Sequence, residues 1–412
     1  MGASPQQKSV PELLAPAGGP EQLLEAIHFG ADAVYLAGPR WGMRAKARNF
    51  SLEELVHAVQ TAHAADVKVH VTLNTVMRDA DMAELPAYLG ALEEAGVDAL
   101  IVADLGTMQL ARTYAPTIEL HVSTQANVTS AETAKAFQSL GAKRIVLARE
   151  MTIEEIAHMR DELPPELELE AFVHGSLCLA YAGRCLLSSA LMGPERAASR
   201  GACAQPCRWG WALADERDPS RRLPLIEEGK ESFILSSNDI CMIEHLDDLI
   251  AAGVDSLKIE GRNKGAYYVA CVTNAYRQVL DGGEAGLWRE ELEHVSHRPY
   301  SCGYYYGHPE ENQGEPEYAR DRALIGIVAD VKTEDGTCWA EFPLRNRVDA
   351  GCALAVLSPH EPVRTFVPEH LEAWDEESAS WKDVPSLTKT MGRCRMEVPF
   401  AVSSGDVLAR EL

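Results

Sequence analysis

Ala95-Gly-Val-Asp98-Ala-Leu100 is one of four copies of a single sequence pattern, and this repetition predicts the fold of the first part of the chain. The other copies are Phe29-Gly-Ala-Asp32-Ala-Val34, Leu140-Gly-Ala-Lys143-Arg-Ile145 and Ala252-Gly-Val-Asp255-Ser-Leu257. In each copy a helical pattern ends at a glycine, which can adopt a positive φ, and a short apolar run follows. Helices that feed strands in this way are typical of β/α units around a parallel sheet.

The four copies belong to a longer pattern. Between Pro11 and about Gly265, eight short apolar or β-branched runs alternate with amphipathic stretches. Ser51-Leu-Glu-Glu54 and Thr152-Ile-Glu-Glu155 have the form of capping boxes that begin two of the helices. The recurrence favours a TIM-like (β/α)8 barrel over a doubly wound sheet. The predicted strands are Glu12–Ala15, Ala33–Leu36, Val69–Leu73, Ala99–Val102, Glu119–Val122, Arg144–Leu147, Leu169–Val173 and Ser256–Ile259.

The pattern divides the 412 residues into a barrel and a smaller C-terminal domain. Residues 1–10 are expected to be a disordered N-terminus, and the barrel covers 11–282 with a cysteine-rich insertion at 175–255. An insertion after a barrel strand lies on the face where barrel enzymes place their chemistry. Residues 283–322 are predicted to be an irregular connector. Residues 323–412 alternate with a period of two and predict a small all-β, barrel-like domain.

Composition narrows the function classes. No apolar run approaches the roughly 20 residues that cross a bilayer, and no secretory segment begins the chain, which indicates a cytoplasmic protein with reduced thiols. The net charge of −24 opposes nonspecific binding to nucleic acid. An RNA partner would therefore need a local basic surface. The candidate RNA-binding residues are Arg40, Arg44, Lys46 and Arg48, which an ion-paired surface loop explains equally well.

Four of the ten cysteines lie close together, in the arrangement Cys178-x6-Cys185-x17-Cys203-x3-Cys207. Four thiolates suit an iron–sulfur cluster or a tetrahedral zinc ion. Structural zinc sites favour pairs separated by two to four residues, and the first pair is wider than that, so a [4Fe–4S] cluster is the favoured interpretation. Cys241 is an alternative fourth ligand. Chance clustering of ordinary thiols is the remaining explanation.

Polar residues follow several predicted strands, at the positions where barrel enzymes assemble their active sites. Arg149, His174, Glu260 and Arg262 are the candidate catalytic residues. Lys258-Ile-Glu-Gly-Arg262 combines cations and a carboxylate that could bind an anion and move a proton, although a structural ion-pair network would look the same. The sequence contains no G-x-S-x-G elbow, H-E-x-x-H zinc helix or Walker phosphate loop.

The chain resembles the collagenase-like peptidase family U32 over nearly its whole length. The cysteine block carries the most specific part of this resemblance. The matching motifs are Glu12-Leu-Leu-Ala-Pro-Ala-Gly18, Ala45-Lys-Ala-Arg48-Asn-Phe50, Glu170-x-Phe-x-x-Gly-Ser-Leu-Cys178, Gly183-x-Cys-Leu-Leu-Ser188, Gly201-x-Cys-x-x-x-Cys-Arg208 and Ser256-Leu-Lys-Ile-Glu-Gly-Arg262.

The resemblance implies iron–sulfur chemistry despite the peptidase label. Better understood members resemble enzymes that hydroxylate RNA bases or a quinone precursor without molecular oxygen. The domain plan is most similar to the members that make 5-hydroxyuridine at the tRNA wobble position, with prephenate, a small dicarboxylate, as the implied co-substrate. The implied cluster ligands are Cys178, Cys185, Cys203 and Cys207. Such an enzyme also implies tRNA and an electron donor as partners.

Two other functions stay open. A peptidase is what the family label suggests, although the sequence offers no visible pair of nucleophile and base. A non-catalytic scaffold with a structural metal site is the second alternative.

Overall fold

The computed structural model describes residues 10–45, 47–178, 180–182, 184–209, 212–215, 218–224, 238–307, 319–334 and 336–412. The chain divides into two compact units. The first comprises the ranges Met1–Leu23, Ala31–Lys264 and His297–Tyr318, and the second comprises Leu24–Gly30, Gly265–Ser296 and Ala319–Leu412.

The first unit contains a closed barrel of eight parallel strands. Besides the eight barrel strands, β1 to β7 and β11, the unit contains four further strands. The bounds are β1 (Glu12–Pro16), β2 (Ala33–Leu36), β3 (Lys68–Leu73), β4 (Ala99–Val102), β5 (Glu119–Val122), β6 (Ala142–Val146), β7 (Glu168–Ser176), β8 (Ala212–Asp215), β9 (Asp218–Pro224), β10 (Asp239–Cys241), β11 (Ser256–Ile259) and β12 (Tyr300–Ser301). Strands β1 to β7 follow one another around the barrel, and β11 closes it by pairing with both β1 and β7. The predicted barrel is confirmed, because each of its eight strands overlaps one of the expected runs.

Helices follow the strands as the repeated phrases require. Their bounds are α1 (Pro20–His28), α2 (Leu52–Ala64), α3 (Asp79–Ala95), α4 (Leu105–Tyr114), α5 (Ala131–Ser139), α6 (Ile153–Glu162), α7 (Leu187–Met192), α8 (Leu246–Ala251), α9 (Ala266–Leu280) and α10 (Ala285–Glu291). Both predicted capping boxes are present, at Ser51 before α2 and at Thr152 before α6. Gly96 ends α3 at φ +77°, as expected for a left-handed cap. None of the described helices is long and apolar enough to cross a membrane.

The insertion extends the sheet on one side of β7, which is nine residues long. Strand β10 runs antiparallel to β7, and β12 runs parallel to β10. Strands β8 and β9 form a separate antiparallel hairpin. The additional strands place Cys241 opposite His174.

Charged side chains from different strands meet inside the barrel, where most barrels hold branched apolar residues. Arg144 binds the carboxylates of Glu12, Glu168 and Glu170, and the distance to Glu170 is 3.2 Å. The Nζ atom of Lys258 lies 2.6 Å from Glu170. Each buried charge therefore has a partner of opposite sign, which offsets the cost of removing it from water.

The second unit carries the C-terminal β structure together with α9 and α10. Its sheets run in the orders β13-β23-β17-β18, β14-β15-β22-β19-β20 and β16-β21. Phe342, Val356 and Met396 belong to its apolar core. The strands are β13 (Arg322–Ile327), β14 (Asp330–Glu334), β15 (Thr337–Pro343), β16 (Val348–Asp349), β17 (Leu354–Leu357), β18 (Arg364–Phe366), β19 (Leu371–Asp375), β20 (Ser380–Asp383), β21 (Ser386–Leu387), β22 (Arg393–Val398) and β23 (Val407–Glu411).

Candidate active site at the mouth of the barrel

A pocket opens where the barrel strands end, and we call it the mouth pocket. Its lining carries four cations and one carboxylate. These charged residues are Arg44, Arg149, Lys258, Glu260 and Arg262. The excess of positive charge makes the mouth pocket suited to an anionic ligand.

Glu260 links two of these cations. The Nη2 atom of Arg44 donates to Oε1 of Glu260 at 2.8 Å, and Nη2 of Arg149 lies 3.5 Å from Oε2. Burial alone would raise the pKa of Glu260, but Arg44 and Arg149 outweigh it and lower that pKa to about 2. Glu260 is therefore ionised at neutral pH and fixes both guanidinium groups.

The other two cations are more deeply buried. Burial lowers the pKa of Arg262 to about 10, and Arg262 donates to the side-chain oxygen of Asn49 at 3.4 Å. Burial also lowers the pKa of Lys258, whereas the nearby carboxylate of Glu170 acts to raise it. The Nζ atom of Lys258 lies 4.4 Å from the centre of the Tyr35 ring. Both cations are thus held close to the mouth pocket with little access to solvent.

The four clustered cysteines are near one another in the fold. Burial raises the pKa of the Cys207 thiol, Arg208 lowers it, and the charges of Cys178, Cys185 and Cys203 raise it further. A backbone N–H of Gln205 donates to the sulfur of Cys203 at 3.3 Å. The thiols therefore form one electrostatically coupled group.

The cysteine group is also coupled to the mouth pocket. The carboxylate of Glu260 raises the pKa of Arg44, and Cys178 acts on Arg44 in the same direction. Arg44 lines the mouth pocket, so it belongs to the surroundings of both features. A redox centre held by the thiols would lie beside the ligand of the pocket.

Backbone contacts fix the cysteine-bearing insertion to the loops that follow β2 and β3. The N–H of Ala45 donates to the carbonyl of Gly201 at 3.3 Å, and the N–H of Val76 donates to Ser199 at 3.0 Å. Gly201 has a φ of +76°, and a Cβ atom there would lie 2.7 Å from the carbonyl oxygen of Gly42. Glycine is therefore required at the point where the insertion meets the barrel.

The predicted catalytic residues divide into two groups. Arg149, Glu260 and Arg262 line the mouth pocket together. His174 is buried and is not part of that lining, and its Nε2 atom lies 3.4 Å from the hydroxyl of Tyr300. The catalytic assignments themselves stay predictions.

The described residues among the predicted RNA-binding set do not form a basic surface of unpaired cations. Arg40 pairs with Glu84, Arg48 with Glu54, and Arg44 with Glu260 in the mouth pocket. Lys46 lies outside the described residues. In the described part of this loop, each arginine is already engaged by a carboxylate.

Sequence reasoning missed several residues of the mouth pocket. Tyr35, Thr72, Thr124 and Phe172 line it, and Lys258 was recognised only as part of a charged motif. The position of Thr72 could have identified it from the sequence, since it is a polar residue directly before the end of a buried strand. Tyr35 carries none, because a tyrosine in a strand is more often part of the core.

A family model named "Peptidase family U32" matches residues 18–315. The chain belongs to peptidase family U32. Among its U32 relatives, "tRNA hydroxylation protein P1" of Bacillus subtilis is 35% identical over 378 residues, which cover 89% of this chain and 87% of the relative. The expected family is therefore confirmed.

Two other relatives carry different names. "23S rRNA 5-hydroxycytidine C2501 synthase" of Escherichia coli is 42% identical over 270 residues, covering 66% of this chain and 39% of the relative. "Collagenase" of Porphyromonas gingivalis is 34% identical over 314 residues, covering 72% of this chain and 73% of the relative. Membership of U32 alone thus does not distinguish RNA chemistry from proteolysis.

Proposed function

We propose that this chain is an RNA-modifying enzyme with an iron–sulfur cluster, which hydroxylates C5 of the wobble uridine in tRNA to give 5-hydroxyuridine. The observation that carries the proposal is the group of four thiols beside a cationic pocket at the barrel mouth. Relatives named for tRNA hydroxylation and for 5-hydroxycytidine synthesis support RNA hydroxylation as the class of reaction.

Cys178, Cys185, Cys203 and Cys207 would hold a [4Fe–4S] cluster, with Cys241 as the alternative fourth ligand. A zinc ion with bonds of about 2.3 Å would require sulfurs roughly 4 Å apart. Among the described residues, no three of these thiols have sulfurs that all lie within 4.8 Å of one another. As they stand, the thiols are therefore not arranged around a single zinc ion, and the proposal assigns a cluster to them. Such a cluster supplies electron transfer or activation of an oxygen donor.

The mouth pocket would bind a small dicarboxylate, and prephenate is the proposed co-substrate of a reaction that does not use O₂. Arg149 and Arg262 are the proposed anion ligands, with Arg44 held ready by Glu260. Guanidinium groups bind carboxylates with two parallel hydrogen bonds, which fixes the orientation of the guest. The buried side chains around them exclude water from that contact.

The cysteine insertion would supply the approach for RNA. Residues 178–209 contain four arginines and one glutamate, in a chain whose net charge is −24. A second, open pocket is lined by Tyr181, Arg184 and Tyr304, and Tyr181 is exposed. Aromatic rings and arginines together bind unstacked bases, as a wobble uridine must be when it enters an active site.

Mass spectrometry of tRNA nucleosides tests this function. The chain is expressed in a bacterial strain that lacks its own wobble-uridine hydroxylases, and 5-hydroxyuridine and its derivatives are measured. We expect the modification to return with the native chain and not with Cys203→Ser. Cys338→Ser, in the second unit, is the matched control and should be active. Unmodified uridine in the presence of folded, iron-loaded protein would contradict the proposal.

The relative named collagenase makes proteolysis the second candidate. The mouth pocket contains Ser123 and Thr124 but no histidine in its lining, so no hydroxyl there has an imidazole base beside it. Cleavage of casein or collagen by iron-loaded protein, lost in Cys203→Ser, would favour the peptidase. Zinc in place of iron, with no activity on either substrate, would favour the scaffold.

A further inference from the structure

We propose that Lys258 is a nucleophile that forms an imine with a small 2-oxo acid bound in the mouth pocket. Nothing in the family comparison assigns a role to this lysine. The inference deepens the proposed function, because it rests on the same pocket binding an anionic co-substrate, and trapping without RNA tests it separately from RNA hydroxylation.

The position of Lys258 supports this chemistry. Its side chain lies on β11, the strand that closes the barrel, and only 3% of the residue is exposed. Lys258 lines the mouth pocket, and its Nζ atom lies 4.4 Å from the ring centre of Tyr35 and 5.6 Å from that of Phe172. An amine in such surroundings loses its proton more readily than a lysine in water, and only the neutral amine attacks a carbonyl.

Glu170 supplies the proton acceptor that the step requires. One of its carboxylate oxygens lies 2.6 Å from Nζ of Lys258, close enough for direct transfer. Its other oxygen faces Arg144, which keeps the carboxylate in place. Glu170 is fully buried, so water does not compete for the proton.

The remaining lining identifies the acid part of the ligand. Arg44, Arg149 and Arg262 offer guanidinium groups, and Glu260 is the one carboxylate among the lining residues. Within the described structure, the hydroxyls of Thr72 and Thr124 are buried in this lining without hydrogen-bond partners. Buried hydroxyls without partners are costly, so a ligand with oxygen atoms would satisfy them. A carboxylate beside a ketone matches both the arginines and the amine.

The reaction balances without an oxidant or a reductant. Glu170 accepts a proton from the ammonium group, and the neutral amine then adds to the ketone carbon to form a carbinolamine. The C–O bond breaks as the leaving hydroxyl takes the proton from Glu170. In the carbinolamine the nitrogen has passed one proton to the former ketone oxygen and keeps one hydrogen, so the products are one water molecule and one protonated imine attached to Lys258, with Glu170 again ionised.

Reductive trapping tests the proposal on the full chain without RNA. The protein is incubated with pyruvate as the probe and with cyanoborohydride, and the modified residue is located by peptide mass spectrometry. We expect Lys258 to be labelled at least tenfold more than any other lysine, and lactate, which has no carbonyl group, to give no label. Labelling that maps elsewhere in the native protein, or none at all, would overturn it.

Lys264 provides the matched control. Burial lowers its pKa to about 8, so it is also a reactive amine, but it is not part of the mouth-pocket lining. Lys258→Arg should abolish the label, whereas Lys264→Arg should keep it. An equal loss of the label in both variants would overturn the assignment of the imine to Lys258. The native-protein map decides the matter even where Lys258→Arg does not fold, and nucleoside analysis reports on RNA hydroxylation separately.

Discussion

Glu260 holds two arginines of the mouth pocket through its charge, and its pKa of about 2 is well below the usual 4.5. Because the pKa is lowered by folding, the ionised group stabilises the fold above about pH 4.5, and this stabilisation is lost as the pH falls toward 2. The shift corresponds to about 3 kcal/mol at most. We expect Glu260→Gln to be less stable than the native chain at pH 6, with the difference shrinking toward pH 2.

Urea unfolding at a series of pH values measures this difference. Glu376→Gln changes an exposed carboxylate and serves as the control, which should unfold like the native chain at every pH. A constant difference between Glu260→Gln and the native chain from pH 6 to pH 2 would show that Glu260 does not titrate in the way its surroundings require.

Arg144 pairs with three carboxylates inside the barrel, and it shares one of them, Glu170, with Lys258. Arg144→Met should destabilise the fold by about 3–5 kcal/mol, because Glu12 and Glu170 would then be buried without this partner. Denaturant unfolding at pH 7 gives the value. Arg347 pairs with Asp349 on the surface, so Arg347→Met should change stability much less. Equal losses in the two variants would mean that the buried network contributes nothing special.

At the scale of elements, the loop at Gly201 determines where the cysteines lie. Gly201→Ala should lower the iron content of anaerobically purified protein, because the added Cβ would meet the carbonyl of Gly42. Gly282 has a similar positive φ of +96° but no atom within 4 Å of an added Cβ. Gly282→Ala therefore carries the same backbone strain without the clash and should keep its iron. Matching iron contents in both variants would contradict this role of Gly201.

The elements that the sequence predicts best are those with local signals. Strands β1 to β7 and β11 follow from short apolar runs, four of them after helix-ending glycines, and each pairs with its neighbour as a barrel requires. In the C-terminal domain, where the sequence predicted a general two-residue alternation, β19 and β20 show that pattern poorly. The side chains of these two strands include Glu372, Trp374 and Lys382, so their apolar pattern is weak. The strands are stabilised by pairing with each other, which a local pattern does not reveal.

The candidate site shows the same limit. Arg149, Glu260 and Arg262 were found because each follows a strand, and strand ends converge in a barrel. Arg44 was assigned to an RNA-binding loop, yet the fold brings it to Glu260, 216 residues away in the chain. Such long-range contacts leave no trace in local composition, and this explains why the pocket was only partly predictable.

For the whole molecule, the distribution of charge decides how an acidic protein could hold tRNA. The net charge of −24 repels the phosphate backbone, so binding requires the arginine-rich insertion to face the RNA. Tyr181→Ala should weaken tRNA binding by about five- to 150-fold, because stacking on a base is worth about 1–3 kcal/mol. Tyr114, with 46% exposure against 49% for Tyr181, is the matched control on α4. Tyr114→Ala should bind like the native chain.

Salt dependence separates this electrostatic contact from stacking. Arg184→Ala should reduce the slope of log affinity against log salt by about 0.7–0.9, the value for one lost phosphate contact, whereas Tyr181→Ala should leave the slope unchanged. Fluorescence anisotropy with labelled tRNA measures both, and equal iron contents show that the cluster is intact. An unchanged slope in Arg184→Ala would place the phosphate contacts elsewhere, because a charge that meets no phosphate releases no counterion.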